Sequence, residues 1–147
     1  FTVIPGVSSF LAGAASLKRE LTVPGVSQTV ILTRIGGRTP VPEKEQLRIL
    51  GSVQATLVIF LSIDRLGEVV KELLHSYPPQ TPAAVLHRVS WKDEQIIWGT
   101  LSDIVEKGKN QDFTRQALII VGEVLGDTFS FSSLYDSAFS HGFRKTK

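Results

Sequence analysis

The sequence predicts an α/β fold: a mixed, mostly five-stranded sheet with helices on both faces. Three observations carry that expectation. The runs "ATLVIFLS" and "QALIIVGEVLG" are short, apolar and β-branched, as strands buried on both faces are. Helix-like and strand-like segments alternate along most of the chain. A polar turn, "WKDEQ", separates two strand-like stretches, so a hairpin is present and the sheet is not purely parallel.

The elements follow in order. Residues 2–4 read as the end of a strand, broken by Pro5 and Gly6. Ser8 and Ser9 are of the type that caps a helix, because a serine oxygen accepts from the orphan amides of the first turn. The helix is "FLAGAASLKREL", whose small residues allow close approach of a backbone or a flat ligand. "QTVILTR" is a strand, and Gly36 and Gly37 form a turn. Residues 42–51 predict a helix with acids in the first turn, where its dipole favours them. After the buried run "ATLVIFLS", Asp64 is placed to cap "RLGEVVKELLHSY", whose Leu66, Val69, Val70, Leu73 and Leu74 form one apolar stripe. "PAAVLHRVS" and "IIWGTL" flank the hairpin turn, and "SDIVEKGK" is a short helix capped by Ser102. "QALIIVGEVLG" is the last strand, and residues 131–147 predict a tail helix with aromatic residues at helical spacing.

Composition narrows the classes of function. The chain has 147 residues, 42% hydrophobic and 20% charged, which suits one globular core. A net charge of +2 argues against a dedicated nucleic-acid binder. The basic residues near Arg34 and Arg38, and again at Arg144, Lys145 and Lys147, favour an anionic ligand. With no cysteine, thiolate catalysis and cysteine-bound zinc are excluded, and the 3 histidines are not at metal-ligand spacing. No apolar run reaches the roughly 20 residues of a membrane span. A cytoplasmic protein is therefore expected. The sequence starts in an apolar strand without methionine or polar slack, which suggests a piece of a longer chain.

No catalytic constellation is evident, and the catalytic residues stay unknown. The serines after Pro5 and Gly6 are not in a G-x-S-x-G elbow, and no phosphate-binding glycine loop occurs. The "IPGVSS" junction aims backbone amides and two hydroxyls at anything beside it. A plain helix cap accounts for it as well. Arg34 and Arg38 around the glycine turn suit bidentate carboxylate recognition, and equally a solvated strand end.

"IPGVSSFLAGAASLKREL", "SQTVILTRIGGRTPVPEKEQL" and "SSLYDSAFSHGFRK" resemble the tetrapyrrole methylase family, in particular its branch acting on carbon 11 of precorrin-4 or cobalt-precorrin-4 during cobalamin synthesis. The resemblance covers essentially the whole chain. It implies two α/β domains with S-adenosylmethionine bound between them, of which this chain is the C-terminal one. The glycine-rich G-x-G-P-G-D loop of the first domain is absent. Two smaller departures are Gly13, where an alanine is usual, and the missing acid before "SQT". Residues 1–24 are then linker strand and helix, 25–130 the C-terminal domain and 131–147 the tail helix.

Carried over by position, the cofactor contacts implied are Ser8, Ser9, Leu61, Val89, Gln116 and Ala117, mostly through backbone or packing. An anionic tetrapyrrole implies carboxylate docking at Arg34, Arg38 and, with His87, Arg88. A salt bridge from Arg88 to Asp93 or Glu94 is the alternative there. The implied partners are that substrate, the missing N-terminal half and a second copy in a homodimer, with no nucleic acid and no membrane. The chain alone is expected to fold without catalysing. Methylation of uroporphyrinogen III or of a different precorrin, and a stand-alone anion- or nucleotide-binding module, stay open as alternatives, as does a purely structural dimerisation domain.

Overall fold

The computed structural model describes residues 1–109, 111 and 113–127. The tail helix expected over 131–147 lies outside the described residues. The elements are α1 (Ser9–Leu17), β1 (Val30–Arg34), α2 (Leu47–Gly51), β2 (Thr56–Phe60), α3 (Leu66–Leu73), β3 (Pro82–His87), β4 (Gln95–Thr100), α4 (Ile104–Gly108) and β5 (Ala117–Val121). The five strands form one sheet in the order β1-β2-β5-β3-β4. β1 and β2 are parallel, while β5 runs antiparallel between β2 and β3, with Ala117 opposite His87. β3 and β4 form the expected hairpin, paired from Pro82 with Thr100 to His87 with Gln95. The C-terminal ends of β1, β2 and β3 therefore share one edge with the start of β5.

Alternation along the strands builds a core on each face, as a period of two requires. Leu57, Ile59, Val85, Ile119 and Val121 face α2, α3 and α4. Val58, Ala84, Leu86, Leu118 and Ile120 face α1 and the segment carrying Leu21 and Val23. The continuous apolar runs of the sequence are thus strands covered on both sides. α1 comes close to β3 because Gly13 has no side chain: a Cβ there would lie 3.0 Å from Leu86 Cδ2. α3 buries Leu66, Val69, Val70 and Leu73, whereas Leu74, expected on the same stripe, is exposed.

Several local expectations are corrected. Residues 2–4 form no strand, since no neighbouring strand pairs with them and they lie exposed. Ser8 takes the extended backbone that opens α1, but its hydroxyl makes no cap bond. The predicted helix over 42–51 divides into a 3-10 turn (Glu43–Glu45) and α2, because Gln46 is extended. That break turns Leu47 into the core while the charged turn stays in water. Asp64 falls inside a 3-10 turn (Ile63–Arg65) and caps nothing. Asp103, not Ser102, stands before α4, its carboxylate accepting from the Thr100 amide at 2.7 Å and pairing with Lys107 at 2.7 Å. Those two contacts hold the Asp103 carboxyl below its ordinary range. No helix among the described residues is long and apolar enough to cross a membrane.

Tyr77 shows what a buried hydroxyl contributes to this core. Its hydroxyl donates to the Ala55 carbonyl at 2.6 Å, and burial pushes its pKa up to about 12. The unfolded tyrosine ionises near its ordinary value of about 10, so between these two the folded state holds the proton more tightly. Stability is then fully present below pH 10 and lost as pH rises toward about 12, by about 2–3 kcal/mol. Tyr77→Phe is expected to cost about 1 kcal/mol at neutral pH by leaving the Ala55 carbonyl unpaired, and to flatten the alkaline loss. Urea unfolding from pH 8 to 12 measures both effects.

Candidate functional site

A cleft of about 890 Å³ opens at the edge where β1, β2 and β3 end and β5 begins. That size lies within the range of small-molecule and cofactor sites, about 300–1,000 Å³. Chain segments distant in sequence meet here because β5 is inserted between β2 and β3. Eight of the ten residues expected to make contacts line it: Ser9, Arg34, Arg38 and Leu61, then Arg88, Val89, Gln116 and Ala117. Ser8 does not line it and lies exposed just before α1. His87 does not line it either. Its ring stacks on Phe113 with centroids 4.3 Å apart, and its buried Nδ1 has no hydrogen-bond partner among the described residues.

The backbone around the cleft is unusual. Six non-glycine residues among those described have positive φ, and Leu61 (51°), Arg88 (49°) and Gln116 (55°) line the cleft. Ser90 (70°) follows in the same loop. Left-handed backbone at a residue with a Cβ costs about 1 kcal/mol or more and persists where surrounding bonds impose it. Those bonds are present: the Arg88 amide donates to the Gln116 carbonyl at 2.9 Å, and Arg88 Nε to Gln116 Oε1 at 3.0 Å. Across the cleft, Ser62 ties the ends of β1 and β2, accepting from the Ile35 amide at 3.0 Å and donating to the Phe60 carbonyl at 2.6 Å. Beside it, Leu61 is turned outward with 84% of its surface exposed, an apolar side chain held at the mouth of the site.

Electrostatically the cleft is basic among the described residues, with Arg34, Arg38, Arg65, Arg88 and Arg115 lining it against the one carboxylate of Asp64. The arginines divide into two kinds. Arg34 donates to the carbonyls of Ile35 (3.3 Å), Thr39 (3.0 Å) and Pro40 (3.0 Å), bracing the glycine loop from within. Arg65 donates to the Gly36 carbonyl and forks onto Glu68, which holds the Glu68 carboxyl below its ordinary range. Arg88 pairs with Asp93, lowering that carboxyl, and lies 5.5 Å from the Trp91 ring centre. Arg38 and Arg115 are exposed and make no hydrogen bond or ion pair among the described residues. The two arginines around the glycine turn therefore differ: Arg34 builds the loop, and Arg38 is exposed and unpaired among the described residues.

Arg65 and Arg115 were not singled out from sequence. Both sit in turns without periodicity, and only the position of β5 brings Arg115 to this edge. A smaller hollow of about 500 Å³ lies across the glycine loop, between that loop, Leu47 and α3. It shares Ile35, Gly37 and Arg65 with the main cleft. Among the described residues, Asp64 is the only carboxylate lining the main cleft. Such an arrangement can hold, orient and desolvate an anionic ligand, and among the described residues it presents no acid–base pair.

Comparison with known proteins supplies the remaining observations. Residues 1–105 match the family model of Tetrapyrrole (Corrin/Porphyrin) Methylases. The chain is 54% identical over 146 residues to cobalt-precorrin-4 C(11)-methyltransferase of Methanocaldococcus jannaschii, covering 98% of this chain and 56% of that protein. It is 47% identical to precorrin-4 C(11)-methyltransferase of Pseudomonas aeruginosa, covering 98% and 58%. The chain thus spans a little over half the length of the curated relatives it matches. The X-ray structure of a cobalamin biosynthetic enzyme, cobalt precorrin-4 methyltransferase, superposes with a TM-score of 0.81 at 39% identity, over 84% of this chain and 52% of that one. A uroporphyrin-III C-methyl transferase from Thermus thermophilus, solved in complex with S-adenyl homocysteine, gives a TM-score of 0.64 at 31% identity, over 84% and 52%.

Proposed function

This chain belongs to the tetrapyrrole methylase family, and from that premise we propose that it is the C-terminal part of an S-adenosylmethionine-dependent methyltransferase acting on carbon 11 of precorrin-4 or cobalt-precorrin-4 in cobalamin synthesis. The observation that carries the reading is the cleft itself, where Ser9, Leu61, Val89 and the adjacent Gln116 and Ala117 come from four separate parts of the chain onto one edge. The identity of 54% and 47% to two carbon-11 methyltransferases favours that substrate. A uroporphyrinogen-III C-methyltransferase, the second reading, matches at 34%.

The residues present fit the cofactor. The cleft sets the apolar Phe60, Leu61, Leu86, Val89 and Leu118 beside the polar Ser9, Thr114 and Gln116, a mixture suited to an adenosine and its amino-acid tail. Ser9, Leu61, Val89, Gln116 and Ala117 would hold it. When bound, S-adenosylmethionine supplies an activated methyl group on a neutral leaving group. The work left to this chain is alignment and exclusion of water, for which a braced, apolar-walled cleft is enough. Arg38 and Arg115 dock substrate carboxylates, while Arg34 and Arg88 keep the loops that carry them in place. Asp64 is the one cleft carboxylate, and the reading gives it no proton to move. The reading also includes a cytoplasmic homodimer completed by the N-terminal half of the protein, which sedimentation of the complete product tests.

The expected result is that S-adenosylhomocysteine at about 100 times its Kd stabilises the complete protein by about 2.7 kcal/mol, and that ATP or other nucleotides do not. The isolated chain, lacking the other wall of the cleft, is expected to show no methyl transfer. Protection by any nucleotide alike would favour a general anion-binding module and overturn the reading.

A further inference from the structure

Glu94, in the turn between β3 and β4, makes contacts that the proposed function does not use. Its Oε2 accepts from the Ser90 amide at 2.7 Å and from the Ser16 hydroxyl at 3.1 Å. It forms no salt bridge among the described residues, since the neighbouring cation, Arg88, pairs with Asp93 instead. The first contact fixes the loop in which Arg88 and Ser90 are left-handed on either side of Val89, which lines the cleft. The second fixes α1, whose first residue, Ser9, also lines the cleft. Ser9 and Ser16 are seven positions apart and lie on one face of the helix. One carboxylate oxygen therefore ties together two walls of the site.

From this geometry we propose that Glu94 is a positioning residue that holds α1 and the Val89 loop at the spacing the methyl donor requires. The proposal rests on the reading of the cleft as the S-adenosylmethionine site. It follows from the bonds themselves. Without that acceptor, the left-handed turn at Ser90 keeps only the bond from the Trp91 amide to the Arg88 carbonyl at 2.9 Å, and the loop is free to relax toward ordinary backbone. Without the Ser16 contact, α1 keeps its packing through Gly13 and Leu17 but loses the polar tie to the hairpin. A carboxylate suits this place because charge-assisted bonds are stronger than neutral ones, and one oxygen serves both donors.

The test compares Glu94→Ala, Glu94→Gln and Ser16→Ala in the complete protein, by calorimetric titration with S-adenosylhomocysteine alongside melting temperature and the KM against kcat of the cofactor. Glu94→Ala is expected to weaken S-adenosylhomocysteine about 10-fold or more, and Ser16→Ala about threefold. The loss should fall on KM rather than kcat. Glu94→Gln should recover most of the affinity, since its amide oxygen still accepts. Wild-type affinity in both Glu94→Ala and Ser16→Ala overturns the proposal, as does a glutamine variant as weak as the alanine one. Ser16→Ala removes only a half-buried hydroxyl, so it reads the α1 tie even if Glu94→Ala fails to fold. Failure of the wild-type protein to bind S-adenosylhomocysteine would instead remove the methylase reading of the cleft, and the role of Glu94 with it.

Discussion

Replacing Arg38 and Arg115 together by alanine is expected to weaken binding of a polycarboxylate tetrapyrrole probe such as uroporphyrin by about 100-fold. Each guanidinium can make a charge-assisted hydrogen bond worth about 1.5–3 kcal/mol. Both are exposed, so the lower figure applies to each, and two together give about 3 kcal/mol or a factor of about 100–200. S-adenosylhomocysteine should bind within about threefold of wild type, because neither side chain supports the backbone of the residues proposed to hold it. The affinity of the wild type should also fall more steeply with salt than that of the variant. Arg34→Ala should behave differently. It removes the donor to three carbonyls of the glycine loop and should reduce both ligands together. Fluorescence titration of the complete protein separates these outcomes. Unchanged porphyrin affinity in the Arg38 and Arg115 double variant would remove their docking role.

Gly122→Val is expected to destabilise the fold by about 3 kcal/mol or more, measured by urea unfolding. Gly122 has φ +151°, a conformation that side chains rarely adopt, at a cost of about 1–3 kcal/mol. A Cβ there would lie 3.2 Å from Thr56 Cα and 3.5 Å from the Ala55 carbonyl oxygen. These are backbone atoms of a strand that cannot yield. Thr56 is fully buried, and its hydroxyl is fixed to the Leu21 carbonyl at 2.8 Å. Overpacking therefore adds about 1–3 kcal/mol to the conformational cost. Gly13→Ala is the control. The contact at 3.0 Å there is with the end of the Leu86 side chain, which can rotate, and alanine restores about 1 kcal/mol of helix propensity. A loss below about 1 kcal/mol for Gly122→Val would contradict this account of the β5 exit.

How much of this was legible in the sequence depends on how local the cause is. "ATLVIFLS" had to be a doubly covered strand, and it is β2; the hairpin around "WKDEQ" was equally plain. Helix starts were only partly legible: Ser8 does stand at the N-cap of α1. Ser8, Asp64 and Ser102 are all of the capping type, yet none makes a cap bond, since backbone direction and a neighbouring residue such as Asp103 decided the geometry. At the cleft, the residues expected to touch a cofactor came from family resemblance and the arginines from charge pattern. Nothing local distinguishes Arg34, folded back on its own loop, from Arg38. Nor does any local pattern reveal Arg115, which reaches the cleft only through the place of β5 in the sheet.

That place has a consequence for how the chain acquires its shape. During synthesis, β1 and β2 can pair, and β3 and β4 can close as a hairpin, well before β5 leaves the ribosome. Until it does, β2 and β3 each present a bare, apolar edge with nothing between them. Such edges are templates for intermolecular pairing, and joining two preformed halves through a late, distant strand is slow. The nascent protein therefore passes through an interval of exposure to aggregation that ends only when the last strand is inserted.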